Sequence, residues 1–72
     1  MRVDRKRLEA FLAANGWTLS RTRASHSAWS KQGALRPAII DRNYDEVPED
    51  HVRSILKTMG KTRSDLRSFM AK

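Results

Sequence analysis

Seventy-two residues suffice for one domain, which at this size buries only about 60 to 65 per cent of the surface its unfolded chain exposes and so has a narrow margin of stability. There is no cysteine to form a disulfide or a thiolate metal site, two well-separated histidines are poor material for zinc, and apolar runs of a few residues exclude a membrane-spanning helix. The formal charge is +7, yet the stretch from Asp41 to Asp50 sets five acids against Arg42 alone, a local −4 that leaves +11 on the rest. Met1-Arg2-Val3-Asp4 lacks the apolar segment of a signal peptide, so a cytoplasmic protein is the default expectation.

Asp4 can cap a first helix whose apolar positions Leu8, Phe11 and Leu12 recur at spacings of three and four, with Ala10, Ala13 and Ala14 favouring the conformation. Asn15-Gly16 stops it in a left-handed turn. Trp17, Leu19 and Arg21 alternate with Thr18, Ser20 and Thr22, which predicts a strand with one half-apolar face. A second strand is expected from about His26 to Lys31, and Gln32-Gly33 turns the chain into a third from about Leu35 to Ile40. Pro37 removes a donor from that third run and suits an edge or a bulge.

Asp41 to Val47 has no period and reads as a loop. Pro48 fits a first helical turn, Glu49 and Asp50 favour the positive end of that helix, Val52, Ile55, Leu56 and Met59 form its apolar stripe, and Gly60 closes it. Thr62 and Asp65 form a capping box for a last short helix carrying Leu66, Phe69 and Met70. The expected class is α+β: a three-stranded antiparallel sheet with helices on one face, in the order α-β-β-β-α followed by a short C-terminal helix, all within a single domain spanning residues 1–72.

The stretch from Trp17 to Trp29 carries the chemistry. It gathers Arg21, Arg23 and His26, and an arginine-flanked histidine can hold a phosphate and move protons beside it. The plainer alternative is a basic hairpin whose histidine is merely solvated. Strand parity separates two placements: if Trp29 packs under the helices, His26, three residues earlier, points to the open face. A bulge at Ala28 would instead put both rings on one face and make His26 a wedged structural residue.

The basic remainder is an electrostatic footprint for nucleic acid, with Lys6, Arg21, Arg23, Lys31, Arg36 and Lys57 as phosphate contacts and Trp29 held in the core. The acidic decade should face away from a phosphate backbone or towards a basic partner. Lys57 and Lys61 near the Gly60 stop also have a simpler role in offsetting the carbonyl end of the helix. No carboxylate cluster or cysteine-histidine set organises a divalent ion, so no metal site and no cofactor are expected.

In sequence order, the first helix ending at Asn15-Gly16-Trp17, then Arg21, Ala24-Ser25-His26, and Val52-Arg53-Ser54-Ile55-Leu56-Lys57 followed by Gly60 resemble the HicA family of small toxin ribonucleases over most of the chain. The resemblance implies a fold related to the double-stranded-RNA-binding domain, cleavage of messenger RNA with His26 as the catalytic residue, Arg53 at the family's arginine position as an RNA-phosphate contact or a brace to the loop's acids, and an antitoxin partner covering the basic hairpin. Two positions depart from the pattern. Ala24 stands where the family has glycine, and its Cβ disfavours a left-handed backbone, which predicts a more extended turn. The proline-x-histidine segment common after the third strand is replaced by Ile40-Asp41-Arg42.

The enzyme reading is metal-independent endoribonuclease action, in which neutral His26 takes the proton from an RNA 2'-hydroxyl and Arg21 or Arg23 stabilises the phosphoryl oxygens. His51 is a candidate leaving-group acid only if its helix start lies beside the hairpin. The alternative is a non-catalytic nucleic-acid-binding module on the same scaffold. A third, a protein-binding regulatory module using the acidic decade, leaves the positive surplus unused. The expected partners are RNA and the antitoxin, with no membrane, and the free chain is expected to be a monomer.

Overall fold

Asp4 starts the first helix as its position predicts: its carboxylate accepts the Arg7 N–H at 3.2 Å, satisfying one of the donors that every helix start leaves free. The computed structural model describes residues 1–72 and runs α1 from Arg5 to Ala14, with Leu8, Phe11 and Leu12 buried. Gly16, at φ +86°, turns the chain out of the helix, and the Trp17 N–H reaches back to the Leu12 carbonyl at 3.0 Å. Trp17 is therefore buried at the end of this turn, before the strand begins. No helix is long and apolar enough to cross a membrane.

Three strands follow: β2 (Thr18–Arg23), β3 (His26–Ser30) and β4 (Ala38–Asp41), antiparallel in the order β2-β3-β4. The register pairs Leu19 with Trp29 but Arg21 with Ala28, so Ser20 is an extra residue in β2. Its hydroxyl donates to the Ala28 carbonyl at 2.9 Å and accepts from the Ser30 hydroxyl at 3.1 Å, which settles the bulge with local polar contacts. The simple alternation expected for Trp17, Leu19 and Arg21 is thus broken: Leu19 shares a face with Trp29, whereas Arg21 and Arg23 take the opposite one.

Ala24 and Ser25 make a two-residue connection between the paired residues Arg23 and His26. Ala24 is left-handed at φ +53°, against the extended turn expected from its side chain. A tight hairpin needs positive φ at its first central residue for the type II′ twist, and the closure of the hairpin overrides the preference of alanine. The Arg42 N–H donates to the Ser25 carbonyl at 2.6 Å and ties this tip to the end of β4.

β4 begins at Ala38, three residues later than the expected Leu35. Leu35 to Pro37 remain outside the ladder, since proline has no N–H to offer and biases the residue before it. As expected for a proline-flanked strand, β4 is an edge of its sheet. The segment read as a loop from Asp41 also contains structure: Asp41 ends β4, and β5 (Glu46–Val47) pairs with β1 (Val3–Asp4), matching Val3 to Val47 and Asp4 to Glu46. Two-residue strands have no periodicity to read, but Val3 and Val47 are both buried and join the core.

Pro48 is the N-cap of α2 (Glu49–Met59) and so stands just before the first turn; Val52, Ile55 and Leu56 are its buried residues. Gly60, at φ +71°, and Lys61 donate to the Leu56 carbonyl and close it. The Thr62–Asp65 capping box opens α3 (Arg63–Met70), and hydrogen bonds from the Thr62 backbone and the coupled Thr62 hydroxyl contact hold the Asp65 carboxyl below its usual range. Leu66 is buried and Phe69 packs against Phe11 with ring centroids 5.4 Å apart. A core of 12 residues unites the three helices, the β1–β5 ribbon and the inner face of the sheet.

Glu49 gathers charges at the start of α2: the N-terminal ammonium of Met1 donates to it, and Arg63 and Arg53 lie 3.2 and 3.7 Å away. The ammonium's hydrogen bond and then the charge of Arg63 hold the Glu49 carboxyl below its ordinary value. Ala24→Gly should stabilise the protein by about 0.5 to 1 kcal/mol, because relief of the left-handed alanine exceeds the added freedom of the unfolded chain. Urea denaturation at fixed pH checks this, and an unchanged or lower midpoint contradicts it.

Candidate functional site

The pleat of β3 sends Ser27 and Trp29 inward and His26 and Ala28 outward. Ser27 is buried and lies opposite the buried Ile40, while Trp29 packs against the core opposite Ala38. His26 is exposed on the other face. The irregularity lies in β2 and leaves β3 regular, so the open-face alternative for His26 is the one the structure adopts.

The register then sets the neighbours of His26. Arg23 is its partner on β2 and Asp41 its partner on β4, forming the row Arg23, His26, Asp41 across the sheet. Residues directly opposite in such pairs have Cβ atoms about 4.5 to 5.5 Å apart. The next row on the same face is Arg21, Ala28, Ile39, in which Ala28 is the smallest side chain. Asp41 was not singled out in the sequence; it fell in a segment without period, and only the β3–β4 register reveals its place. One of its carboxylate oxygens accepts the Asn43 N–H at 2.9 Å, which fixes the side chain at the end of the strand.

His26 and Asp41 line an open cleft of about 300 Å³ whose remaining walls are Ile39, Ile40, Val47, Ile55 and His51. His51, at the start of α2, thus lines the same cleft as His26. The His51 ring rests against that of Tyr44, with centroids 5.2 Å apart and planes tilted by 59°. His51 also borders the adjoining groove along β4 and α2, where Arg36 and Ser54 follow, and Arg36 and Lys57 meet at its far end.

Other candidate residues lie elsewhere. Lys6 is on the exposed side of α1, and Lys31 follows the end of β3 opposite to His26, with its side chain over Gly16. Arg53 is exposed and turned to Glu49 on its own helix. Nor does the acidic decade form one face, since Asp41 lines the cleft, Glu46 lies 3.8 Å from Arg2, and Glu49 holds the N-terminal cluster. No group of three His, Asp or Glu side chains is close enough to hold a metal ion.

The family model described as the HicA toxin of bacterial toxin-antitoxin matches residues 5–61. The chain belongs to the HicA toxin family. No curated protein and no solved structure matches it. The HicA match begins with α1 and ends one residue past the Gly60 cap, so it contains the sheet, the cleft and α2 and leaves α3 outside. Membership carries the general character of the family, an RNA-interacting toxin paired with an antitoxin, and agrees with the α+β layout and the basic charge.

Because His26 is exposed and makes no side-chain hydrogen bond, His26→Ala in this HicA protein should leave the thermal midpoint within about 4 °C, the range of a surface change in a small domain. A larger fall in a calorimetric scan would assign His26 a structural role.

Proposed function

We propose that the chain is a metal-independent endoribonuclease that cleaves messenger RNA, the toxin of a toxin–antitoxin pair. The observation that carries this reading is the row Arg23, His26, Asp41 on the open face of the sheet. Neutral His26 takes the proton of a 2'-hydroxyl as that oxygen attacks the adjacent phosphorus, a contribution typically worth about 100 to 10000-fold in rate. Asp41 is the strand partner of His26 and the one carboxylate lining the cleft beside it. Arg23, with Arg21 one row away, stabilises the charge that develops on the phosphoryl oxygens.

Flanking phosphates follow the groove from the His26 cleft past Arg36 to Lys57. Lys6, Lys31 and Arg53 add to the wider positive field that draws RNA to the protein. The antitoxin, in this reading, silences the enzyme by covering the basic hairpin, which leaves the row of Arg23, His26 and Asp41 without access to a backbone. The residues supply acid-base and electrostatic chemistry without a cofactor.

Inducible expression paired with total-RNA sizing tests the proposal, comparing the natural chain with His26→Ala at equal folded abundance. Growth arrest and RNA cleavage with the natural chain alone are expected. Equal growth and intact RNA for both proteins, with RNA still retained in a gel shift, would instead assign a non-catalytic RNA-binding module.

A further inference from the structure

We infer that His51 is a second catalytic residue, the acid that protonates the departing 5'-oxygen, an inference that rests on the ribonuclease reading above. Cleavage needs two proton transfers at separate atoms: the O2'–P bond forms as the P–O5' bond breaks, one proton leaves O2' and another arrives at O5'. His26 can serve only the first of these in a single concerted passage. A second group must lie across the phosphate from it.

The cleft supplies one. His51 borders it from the first turn of α2 while His26 borders it from the start of β3, so the two histidines line one open space from different elements. They are the only histidines in the chain. The walls between them are mainly Ile39, Ile40, Val47 and Ile55, none of which donates a proton, and Asp41 is the one carboxylate. Asp41 is the strand partner of His26, which leaves His51 as the one other acid-base group lining the cleft.

The position of His51 is also built. Tyr44 lies against its ring, and Tyr44 is itself fixed by its N–H to the Asp41 carbonyl at 3.3 Å and by the Arg5 Nε–H donated to its own carbonyl at 3.0 Å. The titratable and charged groups around His51 are Asp41 and His26, which line the same cleft, Arg36 in the adjoining groove, and Asp50 beside it in the chain. His51 is exposed to solvent. After the passage His26 gives its proton to water and His51 regains one, so the cycle consumes none and leaves a cyclic phosphate and a 5'-hydroxyl.

A substrate whose leaving group needs no proton isolates this role. His51→Ala and His51→Gln, the second retaining bulk against Tyr44, are compared with unaltered protein on an ordinary RNA and on the same RNA with sulfur replacing the scissile 5'-oxygen. The expected result is a loss of about 100-fold or more on ordinary RNA for both variants and a rate within about threefold of unaltered protein on the sulfur substrate. His26→Ala should be slow on both. If unaltered protein cleaves RNA while the His51 variants match it, or are slowed equally on both substrates, this inference falls and the ribonuclease reading stands. Unaltered protein that cleaves neither substrate overturns both.

Discussion

The single extra residue in β2 is the constraint on which the site depends. A regular strand would continue the alternation of Leu19, Arg21 and Arg23 on one face, and Leu19 pairs with Trp29 on the side that packs towards the helices. Ser20 breaks that parity, so that Leu19 stays with Trp29 while both arginines cross to the face of His26. The same slip avoids pressing two guanidinium groups towards a core of 12 residues and gives the histidine its cationic flank. Serine suits the position because its hydroxyl reaches both the Ala28 carbonyl and the Ser30 hydroxyl.

The tight turn beyond Arg23 completes the arrangement. With only Ala24 and Ser25 between the strands, His26 opens β3 directly across from Arg23, and the bond from Arg42 to Ser25 brings the end of β4, with Asp41, to the same tip. A longer turn would leave the three side chains out of line. The left-handed Ala24 is the local cost of that closure.

Much of this was legible in the chain. Asp4, Gly16, Gly60 and the Thr62–Asp65 box mark helix boundaries because capping is a local interaction, and Leu8, Phe11, Leu12, Val52, Ile55 and Leu56 declare their burial through helical spacing. His26 and the two arginines were visible by type and proximity. The β1–β5 ribbon was not, because each strand is two residues long and its pairing joins distant parts of the chain. Nor was the bulge, since Ser20 looks like any other polar residue of an alternating strand. Asp41 and His51 take their meaning from pairing and from the packing of α2 against β4, long-range facts with no local pattern. The charge pattern misled in one respect, for three of the five acids in the decade, Asp41, Glu46 and Glu49, serve separate places.

If this face cleaves RNA by activating the neighbouring 2'-hydroxyl, the nucleophile can be removed from the substrate while the protein is left untouched. The most direct measurement maps the cleavage site of purified protein on a synthetic RNA and repeats the reaction with a single 2'-methoxy group at the scissile nucleotide, with and without chelator. The account predicts products ending in a cyclic or 3'-phosphate from ordinary RNA, no effect of chelator, and loss of cleavage at the blocked nucleotide. Cleavage of the blocked bond at an undiminished rate would contradict it.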